Sequence, residues 1–259
     1  MNLKIISAIL VLALAGMACG FDVNLPERAE PGPEVEESIT VAGSGSDETR
    51  LTISFGAGTL NLSPGAENLV DGTAVYNIPE LKPEVTSKDG SVEITQGDFK
   101  NIVNFKEVKN NWDLKLGATP LDLTIRDGAA NVDLSFSEPN LSEMSVLRYE
   151  TGASDVSLAG LADANFSTLI FSGGAGNYTL DFSGGLQRDA VVTIEGGFGD
   201  LSLVIPEDVN AIVTVEGAAL NVNHSSGWAQ NGQKYTQKGS NSTLTILVKM
   251  AAGNLVITD

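Results

Sequence analysis

The stretch Gly174-Ala175-Gly176-Asn177-Tyr178-Thr179-Leu180 decides the fold, because its pattern recurs along the chain. Small residues come first, Asn or Asp follows, and two apolar residues then flank a polar one. Related phrases begin at Gly56, Gly128, Gly152, Gly197 and Ala252, with degenerate copies at Leu121 and Leu220. Recurrence of one short phrase is the signature of a protein built from structural repeats.

The spacing of the phrase predicts a unit with two short strands. Its first apolar residue falls at positions 132, 156, 178, 201 and 220, in steps of 24, 22, 23 and 19 residues. A second alternating run separates the copies, at 144–149, 166–171, 190–194 and 211–215. Period-two alternation buries one face of each strand. Because such units bury a core only by stacking, we predict an all-β fold, a β-solenoid with two strands in each coil.

Alternation also predicts which side chains face the core. The inward set is Val132, Leu134, Val156, Leu158, Tyr178, Leu180, Leu201 and Leu203, and Asp133, Ser157, Thr179 and Ser202 face water. We expect residues 39–115 to form an N-terminal β module and residues 116–259 to form the repeat domain continuous with it. Aromatic side chains are expected to cover the solenoid ends, with Trp228 and Tyr235 in a C-terminal cap.

The N terminus has the features of an export signal. Lys4 precedes an apolar run over residues 5–15, which is too short to span a bilayer. Residues 1–18 are therefore predicted to be a cleaved signal peptide. The single cysteine, Cys19, closes the stretch Leu-Ala-Gly-Met-Ala-Cys, which resembles the lipobox of bacterial lipoproteins. The resemblance implies that Cys19 is acylated and attaches the protein to a membrane; ordinary signal-peptidase cleavage is the alternative.

Residues 19–38 are predicted to form a tether. From Gly20 onward this stretch carries six acidic residues, one basic residue and three prolines, without periodicity. Proline and like charges keep such a chain extended and solvated.

Composition excludes several classes of function. Acidic residues outnumber basic ones by 33 to 15, and the formal net charge is −18. Nucleic-acid binding is excluded, because a phosphate-binding surface needs clustered Lys and Arg. One His, His224, and one Cys leave no triad and few metal ligands. We predict no catalytic residues, no metal site, no cofactor and no enzyme activity.

One polar position of the repeat could form a column on the surface. Asn131, Asp155, Asn177, Asp200 and Asn254 hold equivalent places in their phrases. In a solenoid, consecutive members would lie about 4.8 Å apart. We interpret them as turn residues whose side chains bond their own backbones. A file of Ca²⁺ ions is the alternative, although the repeat is far longer than the nonapeptide of calcium-binding rolls.

Several segments resemble the bacterial toast-rack proteins. The resemblance rests on the phrase set, on Asn111-Trp112-Asp113-Leu114-Lys115-Leu116, on the region of Trp228 and Tyr235, and on the stretch 69–85. It covers about residues 39–259 and extends to the LiaF-type C-terminal domain and the putative-adhesin group. The resemblance implies stacked short strands, a location in the cell envelope and no established enzymatic activity.

Together these features predict an exported, membrane-tethered lipoprotein that acts as an adhesin or scaffold in the bacterial envelope. Its partner would be an envelope protein or a polysaccharide. A regulatory partner of a membrane sensor, as the LiaF resemblance suggests, is the first alternative. A β-helical polysaccharide-binding protein or lyase is the second, although bases are scarce on the repeat face (Lys115, Arg126 and Arg188).

Overall fold

A computed structural model describes residues 31–97, 107–136, 142–239 and 242–259. Its strands are β1 (Val35–Val41), β2 (Thr49–Ala66), β3 (Val70–Tyr76), β4 (Pro83–Lys88), β5 (Ser91–Gln96), β6 (Asn110–Gly117), β7 (Leu121–Ser135), β8 (Met144–Ala159), β9 (Phe166–Asp181), β10 (Ala190–Val204), β11 (Asn210–His224), β12 (Ala229–Asn231), β13 (Lys234–Gln237) and β14 (Thr243–Thr258). Two short 3-10 segments, η1 (Pro79–Leu81) and η2 (Leu161–Ala164), interrupt them. The described ranges contain no helix that could span a membrane. The predicted signal peptide and Cys19 lie outside the described residues.

Seven long strands form a parallel stack in the order β2-β7-β8-β9-β10-β14-β11. β8 and β9 are each 16 residues long and would measure about 50 Å if straight. Only residues 160–165 connect them, and such a connection spans about 20 Å at most. Each long strand must therefore fold back near its middle. The rings of Phe166 and Phe182, at the two ends of the β9 unit, accordingly lie 6.5 Å apart.

Glycines permit the fold because neighbouring backbones nearly touch at the bend. A Cβ atom on Gly174 would lie 2.3 Å from the carbonyl oxygen of Gly152 on β8. One on Gly176 would lie 1.9 Å from the carbonyl oxygen of Ser154, and one on Gly199 1.8 Å from that of Gly176. Positive φ adds to the requirement at Gly199, where φ is 139°. Most glycines at the bend are therefore required because neighbouring strands lie too close for a Cβ atom, and fewer are required by a positive φ.

The bend divides the stack into two layers. β5 and β4 extend the layer of first halves beside β2, and β13 and β12 extend it beside β11. β6, β3 and β1 extend the layer of second halves beside β2. The predicted N-terminal module is therefore part of the same sheet, and β2 is itself a member of the stack, with Leu60 paired to Val132.

Four details of the prediction are wrong. Each unit is one folded strand rather than two strands joined by a turn, because ladder pairing continues through most of the bend. β14 lies between β10 and β11, so the order in space is not the order in sequence. Residues 121–123 begin β7 and pair with residues 49–51, so they are not a copy of the phrase. β1 begins at Val35, four residues inside the predicted tether of 19–38, where alternation resumes despite the acidic composition.

The predicted alternation is confirmed. All eight inward residues, from Val132 to Leu203, are buried, with exposed fractions of 3% or less. Among the outward residues, Asp133 is exposed and Ser157, Thr179 and Ser202 are half-buried. Trp112 is fully buried against Phe55. The core therefore lies between the two layers and runs through the stack.

Replacing Leu201 by Ala should lower the free energy of unfolding by about 2–5 kcal/mol, because it removes buried contacts and leaves a cavity. Ser202→Ala, one residue along on the opposite face of β10, should change it by no more than about 0.5 kcal/mol. Urea denaturation of both variants measures the difference. A costlier Ser202→Ala would mean that the two faces of the strand are assigned the wrong way round.

Gly174→Ala tests the close approach at the bend. The added methyl would overlap the Gly152 carbonyl oxygen, and such overpacking costs about 1–3 kcal/mol. Gly43→Ala is the matched control, because a Cβ there has no neighbour within 4 Å; its change should stay within about 0.5 kcal/mol. Equal thermal midpoints for the two variants would refute the steric account of the glycine positions.

Candidate binding surface

A groove of about 650 Å³ runs across the bends of β2, β7, β8 and β9. Alanines form its floor: Ala57 pairs with Ala129 on the next strand, and Ala153 pairs with Ala175. Leu81 and Val108 line one end. At the other end the register continues from Ala175 to Phe198, whose side chain is 64% exposed. The floor is apolar because it consists of alanine methyl groups.

The predicted polar column borders the groove at Asn131 and Asp155 and continues beyond it. Strand register places Asn131, Asp155, Asn177, Asp200 and Asn254 side by side, and Asn221 follows on β11. The side chains of the column bond to one another across strands rather than to their own turns. The amide of Asn177 donates to Asp155 at 2.8 Å, and that of Asn254 donates to Asp200 at 2.6 Å. Interposed Asn residues therefore keep the carboxylates apart and supply them with donors.

Two amide side chains hold the end of the groove near β6. The Oε1 atom of Gln96 accepts the backbone N–H of Gly56 at 2.9 Å and the Asn110 amide at 2.7 Å. Asn110 is 2% exposed and also donates to the Ala57 carbonyl at 2.7 Å. These bonds hold the bend of β2, which is the first long strand of the stack and has a long neighbour on one side only. Sequence analysis missed both residues, because nothing in their local sequence marks them.

A column of charged residues lies on the other side of the bend. Register brings together Arg126, Glu150, Ser172, Glu195, Lys249 and Glu216 on successive strands. Arg126 pairs with Glu150 at 2.7 Å, and Lys249 with Glu195 at 3.4 Å. Exposed pairs of this kind contribute about 0–1 kcal/mol each. The column therefore shapes the surface charge more than it stabilises the fold.

Asp127 is the central acceptor beneath the bend. It accepts hydrogen bonds from the hydroxyls of Tyr149 at 2.6 Å and Thr151 at 2.7 Å, and from Ser154. Burial, together with the charge of Asp127, raises the pKa of Tyr149 far above its usual value. Burial also raises the pKa of Tyr178, with smaller contributions from Asp127 and Asp155. Both phenols stay protonated at physiological pH, so they serve the structure and offer no base.

His224 and Asp133, for which no catalytic role was predicted, lie apart from each other. His224 is exposed at the end of β11, where its ring packs on Tyr235 at 5.4 Å and Nδ1 lies 2.9 Å from the Ser225 carbonyl. Asp133 lies one residue beyond the inward Val132 on the outer face of β7. Within the described part of the chain, no group of three His, Cys, Asp or Glu side chains could hold a metal ion.

The parallel stack of folded, repeated strands defines a class, the β-repeat proteins. The sequence matches the N-terminal domain of toast_rack, DUF2154, over residues 30–159. The chain therefore belongs to the toast-rack family, as its motifs predicted. No functionally curated protein matches the chain.

A solved structure shares the fold. A crystal structure of a protein described as a "putative cell adhesion protein" from Clostridium sporogenes is 24% identical, with a TM-score of 0.64, and the match covers 87% of this chain and 99% of that one. A "putative adhesin" from Bacteroides fragilis is 15% identical, with a TM-score of 0.44 and coverage of 89% and 99%. The first of these establishes the fold of nearly the whole chain.

Proposed function

We propose that this protein is a non-enzymatic adhesin or scaffold of the bacterial cell envelope, and that it binds a polysaccharide along the groove. The observation that carries the proposal is the groove itself, an apolar alanine floor bordered by amide and carboxylate side chains. A sugar ring has an apolar face and a rim of hydroxyls, and this surface offers both kinds of contact. Similarity to a protein described as a cell adhesion protein supports the same role.

The details of the surface favour a neutral glycan. Phe198 stands exposed at the end of the alanine floor, where its ring could stack on a sugar. The formal net charge of −18 repels acidic polymers. In this proposal the stack is a rigid β-solenoid in which β12 and β13, with the buried side chains of Trp228 and Tyr235, cap the layer of first halves beside β11. The solenoid presents the groove, and acylated Cys19 holds it at the membrane.

Filling the groove should weaken glycan binding. Ala153 is exposed on the groove floor, so Ala153→Arg should leave the fold intact and weaken binding at least about tenfold. Ala118→Arg is the control, since Ala118 is also exposed but lies in the turn between β6 and β7. Co-sedimentation measures both variants: the insoluble neutral glucan should bind the parent more tightly than insoluble peptidoglycan, whose peptides carry carboxylates.

Two results would contradict this assignment. Equal loss of binding in both variants would place the contact outside the groove. Binding to neither glycan, together with capture of a membrane sensor protein, would instead favour the regulatory role that the LiaF resemblance suggests.

Cys19→Ser should release the protein from the membrane. A single acyl chain anchors weakly and two or more anchor stably, so loss of the acylated residue should shift the protein to the soluble fraction. Metabolic labelling with palmitate and cell fractionation test parent and variant together. An unlabelled parent, or a variant that stays with the membrane, would show that Cys19 is not the anchor.

A further inference from the structure

We propose that the outer edge of the second half of β11 is a self-association surface, where a second copy of this chain pairs with it as an antiparallel strand. In the layer of second halves, β11 pairs with β14 on one side only. β13 covers just residues 211–214 of its other side. Among the described residues, no strand pairs with the outer side of residues 217–224.

The apolar residues at this edge are less buried than their equivalents. Val222 and His224 hold the two inward positions of the repeat by register; Val222 is only half-buried and His224 is exposed. On the neighbouring strand, the residues paired with them, Leu255 and Ile257, are fully buried. Leu220, in register with Gly253, is also only half-buried against the core. The core of the stack is thus left open at this end, beside a row of unpaired backbone groups. Such an edge is a template for another strand.

The other three edges of the sheet carry devices that discourage pairing. β4 contains Pro83 and charged residues at Glu84 and Lys88, and β12 is three residues long. β1 carries Glu36 and Glu37. Proline, charge and shortness are the means by which proteins protect edges. No residue from Gly217 to His224 is Asp, Glu, Lys, Arg or Pro, so among the four edges of the described sheet this one lacks these devices.

A second copy is the occupant that the edge fits. In an antiparallel pair centred on Asn221, Leu220 of one copy lies opposite Val222 of the other, on the inward face. The two open cores then cover each other, and the polar column continues through the pair of Asn221 side chains. Since the segment is uncharged, self-pairing brings no like charges together at the contact. A twofold contact of this kind closes as a dimer.

Sedimentation velocity of the full chain tests the pairing. The parent should sediment as a dimer, and added salt should strengthen the dimer, because two chains of formal charge −18 repel each other over about 10 Å at 0.1 M salt. Val222→Lys places a charge in the contact and should raise the dimer Kd at least about tenfold. Val256→Lys is the control, since Val256 is 36% exposed on the outer face of β14; it should leave the Kd unchanged.

Disulfide trapping tests the register. In a Cys19→Ser background, Asn221→Cys should form a disulfide dimer, because opposite Cα atoms in antiparallel strands lie about 4.5–5.5 Å apart, within disulfide range. Asn254→Cys, one strand inward in the same column, should not. A monomeric parent at every salt concentration, association that Val222→Lys leaves intact, or equal trapping at both positions would overturn the proposal. Open-ended oligomers would instead indicate head-to-tail pairing of β11 with β1.

Discussion

The contact between a glycine Cα and the carbonyl oxygen of the next strand is the constraint on which this structure depends. At the bend, Gly174 faces Gly152 and Gly199 faces Gly176, at distances that would leave no room for a Cβ atom. The close packing of bends lets long strands fold back while their ladders continue. The two layers, the core between them and the groove on the outside of the bend all follow from it.

The same constraint explains why the candidate site is where it is. Ala153 and Ala175 each lie between two closely packed positions of the bend, and strand register lines up such alanines as a floor. Immediately after the bend, side chains point outward again, and register turns one polar position into a column of hydrogen-bonded amides and carboxylates. Phe198 holds the register position of these alanines, and its ring projects into solvent. A surface feature of this kind is free to serve binding.

The local parts of this arrangement are predictable from sequence and the non-local parts are not. Period-two alternation identifies which of Leu201 and Ser202 is buried, and equivalent phrase positions identify neighbours such as Asp155 and Asn177. The position of β14 between β10 and β11 cannot be predicted from the sequence, because the repeats have similar strand edges and any two of them could pair. The contact of Gln96 with Asn110 cannot be predicted from the sequence either, since it depends on how β5 and β6 pack beside β2. The predicted end of the tether, residue 38, is wrong because β1 begins at Val35. The prediction gave more weight to acidic composition than to the short alternating run that begins there.

The insertion of β14 has a consequence for the order of assembly. β10 and β11 are close in sequence, yet the structure holds them two strand spacings apart, about 9.6 Å. β14, which lies between them, is synthesised after both β10 and β11 and would also leave any export channel after them. The stack can therefore grow strand by strand from β2 to β10, but β11 finds its place only after β14 has paired with β10. A chain truncated before Thr243 would lack β14, an interior strand of the stack. Until β14 is made, the edges of β10 and β11 are unpaired, and the nascent protein must keep them from mispairing.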